Sequence, residues 1–259
     1  MKIDFHTHGK LAKTLPFSKE YTVNLFQEAK HAGLDALCLT EHFNTMEFKE
    51  IYQFIMNHYP VEEECFLVEG IRVFAGMEVD IIEGGHILLI GKVQEILELN
   101  DKMEPFKSKE TFLTFEELLK FTEPYEMLIG AGHPFREEGH IPELNEKLLQ
   151  RFDFIDLNGK DYAVEGIESK KRVEELAKKL KLPVLAGSDT HQSFQYGCLF
   201  NHFEKDCSTI KELREAIRAE CYTIEIHNDI GFKVKAAGIL KKALKQLHIL
   251  GGDYVSPLI

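Results

Sequence analysis

MKIDFHTHG, Met1 to Gly9, is a short apolar run, Ile3 and Phe5 alternating with polar neighbours, that ends in two histidines one residue apart. Side chains alternate along a strand, so His6 and His8 point the same way and can grip one site. Asp4, two residues before His6, either orients a ligand imidazole or caps a helix. Similar β-rich runs recur at residues 36–39, 73–77, 87–90, 128–131, 154–157 and 184–186, each followed by a segment of helical period. About seven such units in the first 200 residues predict a closed or nearly closed α/β barrel, with a doubly wound open sheet as the alternative.

The intervening segments carry ordinary helix signals. Leu25, Ala29 and Ala32 make a stripe stopped by Gly33, and Val173, Leu176 and Leu180 make another before Pro183. Thr114 with Glu117, and Thr209 with Glu212, have capping-box spacing. The charged stretch Glu98 to Glu110 is expected to be a surface loop. A basic helical segment from Lys233 to Lys245 is expected to lie on the outside. The 259 residues are therefore read as a single barrel domain, 1–259, with 230–259 a C-terminal helical extension.

Five segments end strands with metal-capable side chains: Asp4 to His8, Thr40-Glu41-His42, Gly76 to Asp80, Gly132-His133-Pro134 and Ser188-Asp189-Thr190-His191. In an α/β barrel the C-terminal strand ends form the active face, so residues distant in sequence converge there. Imidazole with carboxylate suits zinc, manganese or iron, and the absence of paired thiolates argues against a closed structural zinc. His6, His8, His42, Glu78, His86, His133, Asp189 and His191 are the candidate ligands. His86 precedes an apolar run, so it either joins them or merely begins a strand. His31, His58, His140, His202 and His248 are assigned to ordinary surface or core positions.

Formal net charge is −12, with no Lys/Arg-rich run that could track a phosphate backbone, so a stable long nucleic-acid partner is not expected. The five cysteines are odd in number and include no Cys-x-x-Cys pair, which reads as reduced thiols. With charge and histidine where a signal core would lie, and no long apolar run, the expected location is cytoplasmic, away from membranes.

At these segments the sequence resembles the PHP (polymerase and histidinol phosphatase) superfamily, whose members carry His-x-His, then Thr-Asp/Glu-His, Gly-x-Glu, a central His-Pro and Gly-Ser-Asp-x-His. The resemblance runs from Met1 to about Asn201. It implies a distorted (β/α)7 TIM-like barrel that hydrolyses phosphoesters with two or three divalent metal ions. Carried over, His6, His8, Glu78 and Asp189 would hold the first metal, and Glu78, His86 and His133 the second. His42 and His191 would belong to a third, and Glu78, Asp189 and His191 would be the catalytic residues. One departure stands out: the place of another third-metal ligand is taken by Lys13 and Thr14. That site is then weakened, completed by water, or replaced by Lys10 or Lys13 contacting phosphate directly.

Two cations sharing a carboxylate lower the pKa of a bridging water from near 16 to roughly 7. The expected reaction is attack by a metal-bridging hydroxide on a small phosphomonoester, such as histidinol phosphate or a nucleotide. Arg136 is placed to clamp the phosphate, with an ion pair to Glu137 or Glu138 as the alternative. Asn158 and Lys160 are either substrate contacts or parts of an exposed turn at Gly159. The competing functions are a metal-dependent amidohydrolase, for which no lysine sits convincingly as a bridging ligand, and a metal-binding regulatory module without turnover.

Overall fold

In the computed structural model, which describes residues 1–137 and 139–258, each of the seven apolar runs lies in a strand of one sheet. The first half of the chain is β1 (Lys2–Thr7), α1 (Lys19–His31), β2 (Ala36–His42), α2 (Phe48–His58), β3 (Val61–Glu62), β4 (Cys65–Val68), β5 (Ile71–Asp80), β6 (His86–Gly91) and α3 (Val93–Lys102). It continues with α4 (Phe115–Thr122), β7 (Leu128–Gly132), α5 (Glu146–Leu149), β8 (Phe154–Asn158), α6 (Gly159–Glu165), α7 (Ile167–Leu180) and β9 (Val184–Gly187). The last elements are β10 (Leu199–Phe203), α8 (Ile210–Arg218), β11 (Tyr222–Ile226) and α9 (Ile230–Ile249).

The barrel strands pair in the order β1-β2-β5-β6-β7-β8-β9. A parallel bridge from Thr7 to Thr190 brings the last strand's end back to the first, with Asp189 N donating to His6 O at 2.7 Å and His8 N to Thr190 O at 2.9 Å. The architecture is a nearly closed, distorted TIM-like barrel. β10 and β11 extend the sheet beyond β1, β10 antiparallel to β1 and β11 antiparallel to β10.

Period-2 alternation decides what fills the barrel. Phe5, Cys38, Phe74, Leu88, Phe154 and Leu185 form its floor, closed below by Ile210, Leu213 and Ile217 of α8. The alternate positions, Leu37, Leu39, Val73, Ala75 and Leu89, face outward against Leu25 and Phe26 of α1, Ile51 of α2, and Val173 and Leu180 of α7. Burying each such side chain contributes roughly 1.5–3 kcal/mol, so this shell and floor dominate stability. Both capping boxes form.

Several expectations need correction. No helix follows β5: it turns directly into β6, which runs antiparallel to both neighbours, β5 and β7. Glu98 to Lys102 is not loop but the end of α3, because Val93, Ile96 and Leu99 are buried at helical spacing beneath the charges. Ala32 is exposed at the end of its stripe. The segments β3, β4, β10 and β11 were not foreseen. α9 is not simply external: Ile230, Ala237 and Leu244 are buried against the rest of the chain. No described helix is long and apolar enough to cross a membrane.

Candidate metal centre

At the upper end of the barrel the inward positions change from apolar to polar. On β5 the face carrying Phe74 continues through Gly76 to Glu78 and Asp80, and on β8 the face carrying Phe154 continues to Asp156 and Asn158. β6 shows why His86 can share this face although it begins its strand. Because β6 is antiparallel, its first residue pairs with Asp80 and Gly132 at the top of the barrel. On β1 a register shift between Asp4 and Thr7 interrupts the alternation. Ile3 and Phe5 therefore join the floor while His6 and His8 turn into the mouth.

Glu78, 1% exposed, occupies the middle. Its Oε1 faces His6 Nε2 at 3.4 Å and His133 Nε2 at 3.0 Å and touches His86 Nδ1; its Oε2 faces His42 Nδ1 at 2.9 Å and His8 Nε2 at 3.5 Å. Asp189 Oδ1 lies 3.2 Å from His8 Nε2, 4.0 Å from His6 Nε2 and 3.6 Å from His191 Nδ1. Three sets of donor atoms fall within 4.8 Å of one another: His6, His8 and Asp189; His6, Glu78 and His133; and His8, His42 and His191. The structure thus gathers all eight candidate ligands, with His8 beside the pair left short by Lys13 and Thr14.

Carboxylates behind the rings set which nitrogen points inward. His6 Nδ1 faces Asp156 Oδ2 at 3.2 Å and His86 Nε2 faces Asp80 Oδ1 at 3.0 Å, leaving His6 Nε2 and His86 Nδ1 toward the centre. Glu41 Oε1 stands 3.6 Å behind His8 Nδ1. Asp156 Oδ2 also accepts from the His133 amide at 3.0 Å and from Asn158 Nδ2 at 3.1 Å, tying three strand ends together. Both His133 (φ 28°) and Asp189 (φ 59°) hold left-handed backbone conformations unusual for residues with a Cβ, local strain of the kind found where side-chain placement is over-determined.

The electrostatics match a cation site. Burial would raise the Glu78 carboxyl, but His86, His42 and His6 outweigh it and hold the group well below its usual range. Burial carries His133 down to about 4 and, with the His8 charge, pushes His191 well below the usual imidazole range. His86 goes the other way: burial lowers it, yet Glu78 and Asp80 take it up to about 10. Buried His6 Nε2, His8 Nε2, His42 Nδ1 and Glu78 Oε2 have no hydrogen-bond partner among the described residues. Leaving such atoms unsatisfied costs about 1–3 kcal/mol each, so this donor set fits divalent cations.

The other expected residues divide. Lys160 Nζ reaches Asp189 Oδ1 at 2.8 Å. Arg136 donates from Nη1 to Asp189 Oδ2 at 3.1 Å, from Nε to Asp161 Oδ1 at 3.0 Å and from Nη2 to Asn158 Oδ1 at 3.0 Å. Its partners are thus Asp161 and Asp189 rather than Glu137; Glu138 lies outside the described residues. Asn158 is buried and caps α6 by accepting from the Lys160 amide, so it does not sit in an exposed turn. Lys13 lines a cleft of about 1050 Å³ with His86, His133 and Arg136, its ammonium 4.0 Å from Asp80. Lys10 is not in that group: it is buried, and its ammonium donates to the Met46 carbonyl. Asp4 neither orients an imidazole nor caps a helix; its Oδ1 accepts from the amides of His6 (3.2 Å) and Ser188 (2.9 Å), joining β1 to the loop after β9.

Sequence reasoning missed Asp156 and the supporting roles of Glu41 and Asp80. A signal existed for Asp156: a lone carboxylate inside the apolar run Phe154 to Leu157 must have a partner when buried. His31, His140 and His202 pair with nearby carboxylates, as ordinary surface histidines do, although His140 also lines the rim of the cleft.

The PHP domain model matches residues 4–229. A Clostridium botulinum protein named "Probable phosphatase" is 28% identical over 227 residues, covering 82% of this chain and 86% of its own length. Among solved structures, PsfC from Pseudomonas syringae PB-5123 superposes with a TM-score of 0.77 at 20% identity, covering 94% of this chain and 98% of PsfC. The lesion-specific endonuclease PfuEndoQ from Pyrococcus furiosus gives 0.63 at 21% identity, covering 86% of this chain and 57% of that enzyme. At such identities the two structures speak to the fold alone.

Proposed function

The chain belongs to the PHP domain family, and on that footing we propose that it is a metal-dependent phosphoesterase acting on a small phosphomonoester, such as histidinol phosphate or a nucleotide. The observation that carries this reading is the position of Glu78, a single buried carboxylate with imidazoles facing both of its oxygens. A carboxylate so placed can serve two cations. In this reading His6, His8, Glu78 and Asp189 hold one ion, Glu78, His86 and His133 a second, and His42 and His191, joined by His8, a third. Nitrogen and oxygen donors of this kind accept zinc, manganese or iron.

Such ions, when bound, acidify water and neutralise charge gathering on phosphoryl oxygens. The protein's own residues prepare the rest. Asp156 and Asp80 hold the outer nitrogens of His6 and His86, so the inner nitrogens would be the ones to bind an ion, which would displace the protons they carry without it. Lys160 and Arg136 fix Asp189 and bring two positive groups to its carboxylate, where phosphoryl oxygens would gather. Asn158 holds Arg136 in place. Lys13 stands on the cleft wall, positioned to meet the substrate's outer part.

The cleft, about 1050 Å³, is at the upper end of ordinary small-molecule sites, with room for a phosphate and an organic leaving group. The net charge of −12 disfavours a long polyanion. The whole chain, 1–259, is taken as one barrel unit that includes its C-terminal helix. The test strips purified enzyme with chelator, restores manganese, zinc or iron, and assays p-nitrophenyl phosphate, nucleotides and histidinol phosphate. Activity lost on stripping and regained with metal supports the reading; no hydrolysis by the metal-loaded protein overturns it.

A further inference from the structure

The C-terminal helix lies against the loop that carries His191. Lys233 Nζ donates to the Tyr196 carbonyl at 3.0 Å, and α9 packs on both α6 and residues 193–195. After the helix, Tyr254 is buried 5.8 Å from the ring of Tyr21, whose hydroxyl donates to the His191 carbonyl at 2.5 Å. Asn24 Nδ2 reaches the Leu258 carbonyl at 3.3 Å. Residues after Ile230 are therefore strapped to the site from both ends.

On α9, Ala237, Lys241 and Leu244 recur at spacings of four and three, which puts them on one face. Ala237 is 2% and Leu244 4% exposed, and Lys241, half-buried between them, is the basic member of that inward stripe. That face packs on α6, which carries Lys160, and on residues 193–195 just after His191; the charges that bear on Lys241 are those of Lys160, Asp189, Lys245 and Glu41, and Lys241 bears in turn on His191. No carboxylate among the described residues pairs directly with its ammonium, whereas Lys160 is paired with Asp189. Burial, and then the Lys160 charge, pull Lys241 down to about 7. A lysine kept in so unfavourable a place, next to another cation and without a partner, is suited to receive an anion.

We propose that Lys241 is a substrate-binding residue whose ammonium meets phosphoryl oxygens beside the His8, His42 and His191 group, making the C-terminal helix one wall of the active site. This rests on the phosphoesterase reading above. It also names a lysine for the role expected of Lys10 or Lys13. Lys10 is committed to the Met46 carbonyl, and Lys13 stands by Asp80 on the wall of the cleft. An arriving phosphate would offset the mutual repulsion of Lys160, Lys241 and Lys245.

The experiment measures inorganic phosphate binding to metal-loaded protein by calorimetry, its competition against p-nitrophenyl phosphate, and metal content. Lys241→Met should weaken phosphate and raise KM by about tenfold or more with metal content unchanged, the loss expected for one charge-assisted contact. Lys241→Arg should recover most of the affinity, and Lys242→Met, an exposed neighbour, should match wild type. If Lys241→Met does not fold, Lys241→Gln replaces it. Unchanged phosphate affinity overturns the proposal, as does loss of metal from the variant, which would mark a structural role. A wild-type protein that neither binds phosphate nor cleaves any ester would instead remove the phosphoesterase reading itself, and this proposal with it.

Discussion

Asp156 Oδ2 lies 3.2 Å from His6 Nδ1, and the same oxygen accepts from the backbone amide of His133 at 3.0 Å. One carboxylate on β8 thus fixes the ring orientation of one candidate ligand and the main-chain position of another. Asp156→Asn keeps the volume but weakens acceptance and removes the charge that makes His6 a better donor. Metal affinity should fall about 10–100-fold, the usual cost of removing such a partner. Titration with manganese or zinc, followed by calorimetry or activity, checks it, and wild-type affinity in the variant would show that His6 is oriented by packing alone.

Glu78→Ala should abolish turnover while leaving the fold. The residue adds nothing to the apolar shell, and its loss leaves imidazoles that can stay neutral in the barrel mouth. The fall in kcat should exceed the roughly 10–100-fold associated with partners one layer further out, and bound metal measured by elemental analysis should drop in parallel. Far-UV circular dichroism controls for the fold. Full activity with native metal content would remove Glu78 from the mechanism.

The seven barrel strands were legible because each is a short apolar run buried on both faces, a pattern that survives whatever surrounds it. Strand direction was not, since hydropathy carries no sign. Even so, Gly84 and Gly85, at φ +89° and +113°, lie between the two runs as a hairpin signal. β11 was missed although Tyr222, Ile224 and Ile226 alternate, because its half-exposed side chains resemble an amphipathic surface segment. The candidate ligand histidines were visible as residue types at strand ends. Their supporting carboxylates were not, because pairing Asp156 with His6 joins positions 150 residues apart. Lys241 stayed hidden because a basic helix reads as solvent-facing until its neighbours are placed.

Gly187 allows β9 to approach β1 where the barrel closes. A Cβ there would stand 2.4 Å from His6 Cβ and 2.5 Å from Asp156 Oδ1, with the His6 amide at 3.3 Å. Neither neighbour can swing away without moving a candidate ligand or its support. Gly187→Ala should therefore cost about 1–3 kcal/mol, a Tm decrease of roughly 3–10 °C for a chain of this size, together with weakened metal binding. An unchanged Tm would mean that the closure is looser than the distances imply.

Lys241 gives a stability prediction whose sign can be worked out. In the unfolded chain its ammonium titrates near about 10.4, whereas burial and Lys160 take the folded group down to about 7. Between those values the unfolded state binds more protons, so this residue makes stability rise with pH across the window. Below about 7 the folded state bears the full penalty, and above about 10.4 the penalty is gone. Lys241→Met does not titrate and should exceed wild type by on the order of 2 kcal/mol at pH 6.5 in chelated protein. The advantage should shrink steadily toward pH 10. Urea denaturation at several pH values measures it, with phosphate omitted so that no anion offsets the charge. A wild-type protein more stable than the variant at pH 6.5 would mean that the ammonium finds its counter-charge within the chain, and that the pull of Asp189 and Glu41 outweighs burial and Lys160.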